Sequence, residues 1–233
     1  MRLQAFLARA GAAPSRRKAE ALIEAGRVTV NGGTASLGSS VSGDETVLLD
    51  GQRVLLPDEH AYLALNKPAA YLTTLKDEPD KDRPTVADLM PDIPGLVPAG
   101  RLDAGTTGLL ILTNDGPLAH RITHPSAEIE KEYRLTLKNP APQEALSALA
   151  AGPTLEDGKM SPPTLSRVYK TTDHTTLHLT IHEGRNRIIR RACVAVGLNL
   201  LSLCRVRVGS VELGDLERGR YRPLTAAELG ALR

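Results

Sequence analysis

Aromatic side chains are nearly missing from this chain of 233 residues. They make up 3%, with no tryptophan and one phenylalanine, so the core must be built from aliphatic side chains. Two cysteines occur, Cys193 and Cys204. Both stand among apolar neighbours without metal-like spacing, which predicts buried thiols in a reducing compartment rather than a disulfide framework. No apolar run approaches the roughly 18 residues of a membrane span, and MRLQAFLARAG lacks a long apolar region with a cleavage site. The expectation is a cytoplasmic protein with no membrane partner. No glycine-rich phosphate loop is present, and His174, His178 and His182 are strung too far along a strand-like run to close on one zinc ion.

Net charge is also small, +2, but its distribution is uneven. Residues 1–30 hold Arg2, Arg9, Arg16, Arg17, Lys18 and Arg27 against Glu20 and Glu24. Residues 181–210 hold Arg185, Arg187, Arg190, Arg191, Arg205 and Arg207 against Glu183 alone. Two local excesses of arginine on a nearly neutral chain point to faces that meet a polyanion, or else to solvated helix faces.

The first 56 residues read as one compact unit. Leu3, Phe6, Leu7 and Ala10 recur at helical spacing up to Gly11, and Ser15 is placed to cap a second helix with Ala19, Leu22 and Ile23 inward and Gly26 at its end. Val28 to Val30 alternates as a strand into Asn31-Gly32, a tight-turn signal; Thr46 to Leu49 and Arg53 to Leu56 flank Asp50-Gly51 as a second hairpin. Residues 57–60, Pro-Asp-Glu-His, read as a linker. From 61 to 233, strand-like runs (Tyr62 to Leu65, Tyr71 to Leu75, Leu109 to Leu112, Tyr133 to Leu137, Thr175 to Ile181, Leu200 to Val208) are interleaved with helical stretches. Those are Thr85 to Met90, Pro117 to Ile122, Gln143 to Ala150, Arg187 to Val196 and Ala226 to Leu232. Such an order predicts an α+β domain on a mostly antiparallel mixed sheet.

RLQAFLARAGAAPSRRKAEALIEAGRVTVNGG resembles the alpha-L RNA-binding motif shared with small-subunit ribosomal protein four. The resemblance assigns RNA phosphate contacts to Ser15, Arg16, Arg17, Lys18, Arg27, Asn31 and Gly32, with Arg2 and Arg9 in the same basic unit. Arginines at a capped helix start suit that role, because the backbone N–H groups there also attract phosphate.

The segment GRLDAGTTGLLILTNDG (100–116) holds one acid, Asp103, at the mouth of an apolar strand. Gly100, Gly105 and Gly108 predict tight bends or close backbone approaches, and Arg101 stands near enough to contact phosphate or brace the loop. Taken locally, Asp103 also fits a turn-capping aspartate. Together with EKEY at 130–133 and EGRNRIIRR at 183–191, the segment resembles the three active-site motifs of pseudouridine synthases. NKP at 66–68, AHRITHP at 119–125 and GRYRPLT at 219–225 fit the ribosomal-RNA branch, whose members carry this same N-terminal module.

The resemblance implies an isomerase that needs no cofactor or metal. It detaches a uracil from its ribose, turns it and rejoins it through carbon. Asp103 falls at the catalytic aspartate, expected to act on the sugar C1′ or the uracil C6, or to stabilise glycosidic cleavage. Arg190 matches its paired cation, Ile189 the apolar pocket wall, and Tyr133 the ring that stacks on an extruded base. Arg185, Asn186, Arg187 and Arg191 become RNA contacts around the pocket. Ala104-Gly105 departs from the larger and more polar residues often found there, which bears on how the loop is held. AGRLD, TTG and HRITHP lean towards small-subunit enzymes and EGRNR towards large-subunit ones. The partner is then ribosomal RNA or a pre-ribosomal particle, met by a monomer. The alternative is a ribosome-assembly factor that binds RNA without catalysis.

Overall fold

The computed structural model describes residues 1–57, 59–78 and 80–233. Of the expected linker, Asp58 lies outside the described residues.

The first unit begins with helices α1 (Leu3–Arg9) and α2 (Arg16–Glu24). The Ser15 hydroxyl accepts from the Lys18 N–H at 3.2 Å, which satisfies one of the free donors of the first turn of α2. Strands β1 (Val28–Val30), β2 (Gly33–Thr34), β3 (Val47–Leu49) and β4 (Gln52–Arg53) form an antiparallel sheet in the order β2-β1-β3-β4. Asn31 and Gly32 both take positive φ, 49° and 83°, as a two-residue turn between β1 and β2 requires. Leu3, Phe6, Leu7, Ala19, Ile23, Val28 and Val47 fill the core between helices and sheet.

The second unit is built on β5 (Tyr62–Lys67), β6 (Val97–Ala99), β7 (Thr107–Thr113), helix α3 (Gly116–Thr123), β8 (Lys131–Lys138), α4 (Gln143–Ala150) and a short hairpin, β9 (Thr154–Leu155) with β10 (Gly158–Lys159). There follow β11 (Thr164–Lys170), β12 (His174–Ile181), α5 (Ile188–Ala195), β13 (Asn199–Val208), β14 (Val211–Glu212), β15 (Tyr221–Pro223) and α6 (Ala226–Leu232). The main sheet runs β11-β12-β8-β13-β7-β5-β15, with β14 on β13 and β6 on β7. β13 and β7 pair in parallel; every other pair is antiparallel. Leu65, Leu110, Leu135, Leu137, Leu177, Leu179 and Ile189 pack on one face, and Ala64, Leu109, Ile111, Leu118, Ile122 and Val208 on the other.

Gly108 is where β7 meets β13. Its φ is +100°, and a Cβ there would stand 2.2 Å from the Arg205 carbonyl oxygen, so only glycine lets the two backbones approach. Gly100 also has positive φ, +93°. Gly105 lies in the turn closed by the Thr106 N–H on the Asp103 carbonyl, but its φ is ordinary and a Cβ would meet only Arg190 Nη2, at 3.6 Å, so the bend there does not require glycine.

Tyr71 to Leu75 is not a strand. It makes a single bridge, Leu72 to Thr85, while the Thr73 hydroxyl turns to the backbone of Leu102. Thr85 to Met90 forms a 3₁₀ turn over Val86–Leu89, closed by the Thr85 N–H donating to the Asp88 carboxylate at 2.7 Å. Cys193 is buried, and burial pushes its thiol up to about 12, whereas Cys204 is only partly covered. Among the described residues no helix is long and apolar enough to cross a membrane.

Candidate active site

A cleft of about 740 Å³ opens between the loop 99–106, the segment 183–190 and the strands β8 and β13. Lys131 and Tyr133 of β8, Leu203 and Arg205 of β13, and Ile181 at the end of β12 line its floor, the pairs on β8 and β13 as strand alternation dictates.

Asp103 sits in the loop entering β7. The residue before it is clamped by one buried hydroxyl: Thr73 Oγ1 donates to the Leu102 carbonyl at 2.7 Å and accepts the Leu102 N–H at 3.1 Å. The Thr106 N–H closes the turn onto the Asp103 carbonyl at 2.9 Å. From α5, Arg190 reaches over the same turn. Its Nη2 donates to the Gly105 carbonyl at 2.8 Å and to Thr106 Oγ1 at 3.2 Å, while its Nε stands 3.9 Å from Asp103 Oδ2. The small residues at 104 and 105 therefore do not leave the loop loose, since the guanidinium holds it. The Asp103 side chain is 39% exposed, so the cleft leaves this carboxylate open to water.

The other expected residues divide by partner. Tyr133 and Ile189 are buried and line the cleft, Tyr133 on β8 and Ile189 on the first turn of α5. Arg101 and Arg187 are exposed at its rim, with no ion pair or side-chain hydrogen bond among the described residues. Arg185 and Arg191 are occupied by the β9–β10 hairpin. Arg185 bonds Glu183 at 2.7 Å and Asp157 at 2.9 Å, and Arg191 grips both Asp157 oxygens at 2.7 and 2.8 Å. Arg191 is the main reason that the Asp157 carboxyl lies below its ordinary range. Asn186 supplies its carbonyl to Arg191.

In the first unit, Arg16, Arg17 and Lys18 are exposed with no charged partner among the described residues. Arg16 lies against Gly116, the first residue of α3. Arg27 chelates Asp50, Arg2 donates to the Gly38 carbonyl, and Arg9 contacts His60 at 3.0 Å. Asn31 accepts the Thr46 N–H at 2.9 Å and, with Gly32, shapes the turn.

Lys67 stands in the NKP segment, to which the sequence assigns no role of its own. It is fully buried at the end of β5, and its Nζ donates to the carbonyls of Pro68 at 2.8 Å and Ala104 at 3.4 Å. Burial pulls the ammonium down to about 8, and the Asp103 charge opposes that shift. The signal was available, because period two along Leu63, Leu65 and Lys67 puts the lysine on a core face. The folded chain binds this proton more weakly than the unfolded one, so stability should rise as pH climbs from about 8 towards 10.5. Denaturant melts at pH 7.5 and 9.5 check this. The wild type should gain stability relative to Lys67→Met, and a parallel response of the two chains would contradict it.

Two helices and a small sheet thus stand ahead of a mixed sheet that carries a braced carboxylate at the mouth of its cleft. The family of RNA pseudouridylate synthases matches residues 61–195, and the S4 domain matches residues 1–47. The chain belongs to the RNA pseudouridine synthases and is an isomerase. It is 43% identical to an uncharacterised RNA pseudouridine synthase of Aquifex aeolicus, covering 100% of this chain and 93% of that one. It is 41% identical to the ribosomal large subunit pseudouridine synthase B of Bacillus subtilis, covering 100% and 95%. A solved pseudouridylate synthase superposes with a TM-score of 0.69 at 32% identity, covering 100% of both chains.

Proposed function

We propose that this chain converts one uridine of large-subunit ribosomal RNA to pseudouridine, with Asp103 as the catalytic carboxylate. The observation that carries the reading is the 3.9 Å approach of Asp103 to Arg190, from distant parts of the chain, at the mouth of a cleft that a nucleotide can enter. The choice of ribosomal RNA is supported by the 41% identity to the Bacillus subtilis enzyme, whose name specifies the large subunit.

Asp103 attacks C1′ of an extruded uridine, as carboxylates do in retaining glycoside cleavage, and the C1′–N1 bonding pair leaves with the base. The freed uracil turns on the Tyr133 ring. Its C5 then bonds C1′ and expels the carboxylate, C5 loses its proton, and N1 gains one. Bound RNA supplies the cover that the open Asp103 lacks in the free chain.

Affinity comes from the first unit. The free cations Arg16, Arg17 and Lys18 contact RNA phosphates, and Arg16 marks the α3 end from which Thr123, on the cleft lining, is about 10 Å away along the helix. Replacing Arg16, Arg17 and Lys18 by alanine should weaken binding to transcripts of any sequence and lower the slope of log affinity against log salt by about 1 per lost contact. An unchanged slope in filter binding would remove these residues from the interface.

The test of the function is a map of pseudouridines in ribosomal RNA from cells lacking the protein. One large-subunit position should revert to uridine. Loss of a small-subunit position, or no loss, overturns the proposal.

A further inference from the structure

Arg205 and Lys131 are cations on the cleft floor with no carboxylate within ion-pair distance among the described residues. Arg205 is only 4% exposed. Its Nε donates to the Leu109 carbonyl at 2.7 Å, and the rest of the guanidinium has no hydrogen-bond partner among the described residues. Lys131 Nζ has the Ile129 carbonyl at 2.9 Å. Arg207, two residues on and against the opposite face, is by contrast matched by Glu130 and Glu132, each at 2.9 Å. Burying a guanidinium without a counter-charge is unfavourable, so the fold tolerates at Arg205 what it compensates twice at Arg207. Burial first, and then the Arg205 charge, hold the Lys131 ammonium below the ordinary lysine range. An anion placed between the two would relieve both.

The register says where that anion lies. Arg205 is the direct cross-strand partner of Tyr133, and Lys131 is two residues from Tyr133 on the same strand face. The two cations thus flank the ring on which the base rests. Arg101 and Arg187, exposed at the rim, are the cations placed to meet backbone phosphates outside the cleft.

Among the described residues the cleft also holds no free acid for the leaving base. Glycoside cleavage by a carboxylate ordinarily uses a second carboxylic acid to protonate the departing group. Besides Asp103, the acid lining this cleft is Glu183, which accepts from Arg185 at 2.7 Å and from the Ser161 N–H at 2.9 Å. Both of its carboxylate oxygens are thus taken up by protein donors.

We infer that Arg205 and Lys131 take up the negative charge of the uracil as it leaves the ribose. The inference rests on the proposed attack by Asp103 at C1′. In that step an Asp103 oxygen supplies the pair that bonds C1′, the C1′–N1 pair goes to N1, and the charge lost by the carboxylate appears on the uracil, spread over N1, O2 and O4. Cations fixed beneath the base stabilise that charge without reorganising, as donors do in an oxyanion hole.

The test uses Lys131→Met and Arg205→Gln in the full chain. Lys131 is partly exposed, so its variant keeps the inference testable if the buried Arg205 substitution prevents folding. Single-turnover conversion at saturating enzyme should fall about 10²-fold, the usual loss for one such donor, while RNA affinity stays within about twofold. On a transcript carrying 5-fluorouridine at the target, consumption of the fluorinated nucleotide should be impaired at least about tenfold less, because fluorine already stabilises the uracil anion. A weaker affinity and a shallower salt slope with an unchanged saturated rate would make the site a phosphate contact and overturn the inference. An equal loss on both transcripts would assign the loss to packing and also overturn it. Asp103→Asn in the same assay separates the two levels. If that variant converts normally, the catalytic assignment fails. If it is inactive while Lys131→Met matches wild type, only the present inference fails.

Discussion

Asp103→Asn should abolish pseudouridine formation, by a factor of about 10⁴ or more, while folding and RNA affinity remain those of the wild type. The substitution keeps the size and shape of the side chain. The Asp103 carboxylate accepts no hydrogen bond among the described residues, and the turn around it is held by backbone and neighbouring groups: Thr73 on Leu102, the Thr106 N–H on the Asp103 carbonyl, and Arg190 on Gly105. An isosteric change at a partly exposed position should alter stability by no more than about 0.5 kcal/mol. An amide is, however, too weak a nucleophile to displace a base from C1′. Release of tritium from 5-tritiated uridine reads the loss, since the C5 hydrogen departs as C5 becomes the glycosidic atom. Conversion by this variant within tenfold of wild type would contradict the role of Asp103.

Arg190→Ala should lower the single-turnover rate about 10³-fold with a small change in RNA affinity. One donor lost from a preorganised site already costs about 10²–10³ in rate, and this guanidinium does two things at once. It faces Asp103 at 3.9 Å and holds the loop through the Gly105 carbonyl and Thr106 Oγ1. Arg190→Lys should recover less than about tenfold of that loss, because an ammonium cannot present the fork that serves loop and carboxylate together. Full recovery by lysine would show that charge alone matters. Unchanged kinetics in Arg190→Ala would remove the pair from the mechanism.

Local rules read much of the first unit directly: Ser15 caps α2, Asn31-Gly32 makes the β1–β2 turn, and Leu3, Phe6 and Leu7 face the core. The same rules missed β11, because Thr164 to Lys170 is an edge strand exposed along most of its length and carries no alternation to detect. They also turned Tyr71 to Leu75 into a strand, since β-prone residues there serve the loop before Asp103 instead of a ladder. In the site, Asp103, Tyr133, Ile189 and Arg190 were reached through family motifs. No spacing rule brings Asp103 and Arg190 together, because their meeting depends on how α5 packs against β13, the parallel neighbour of β7. Lys67 and Arg205 were legible in principle, each being a cation in phase with apolar residues along a strand, Leu63 and Leu65 for one and Leu203 for the other. Asp157 was not, because its importance lies in two arginines that reach it from a distant segment.

The most direct measurement is the structure of this chain bound to a ribosomal RNA fragment with 5-fluorouridine at the target position. The account predicts that base outside its helix, lying on Tyr133 above Arg205 and Lys131, with an Asp103 oxygen at or within van der Waals contact of C1′. A target base still stacked in the RNA, or a nucleotide in the cleft whose C1′ faces away from Asp103, would contradict it.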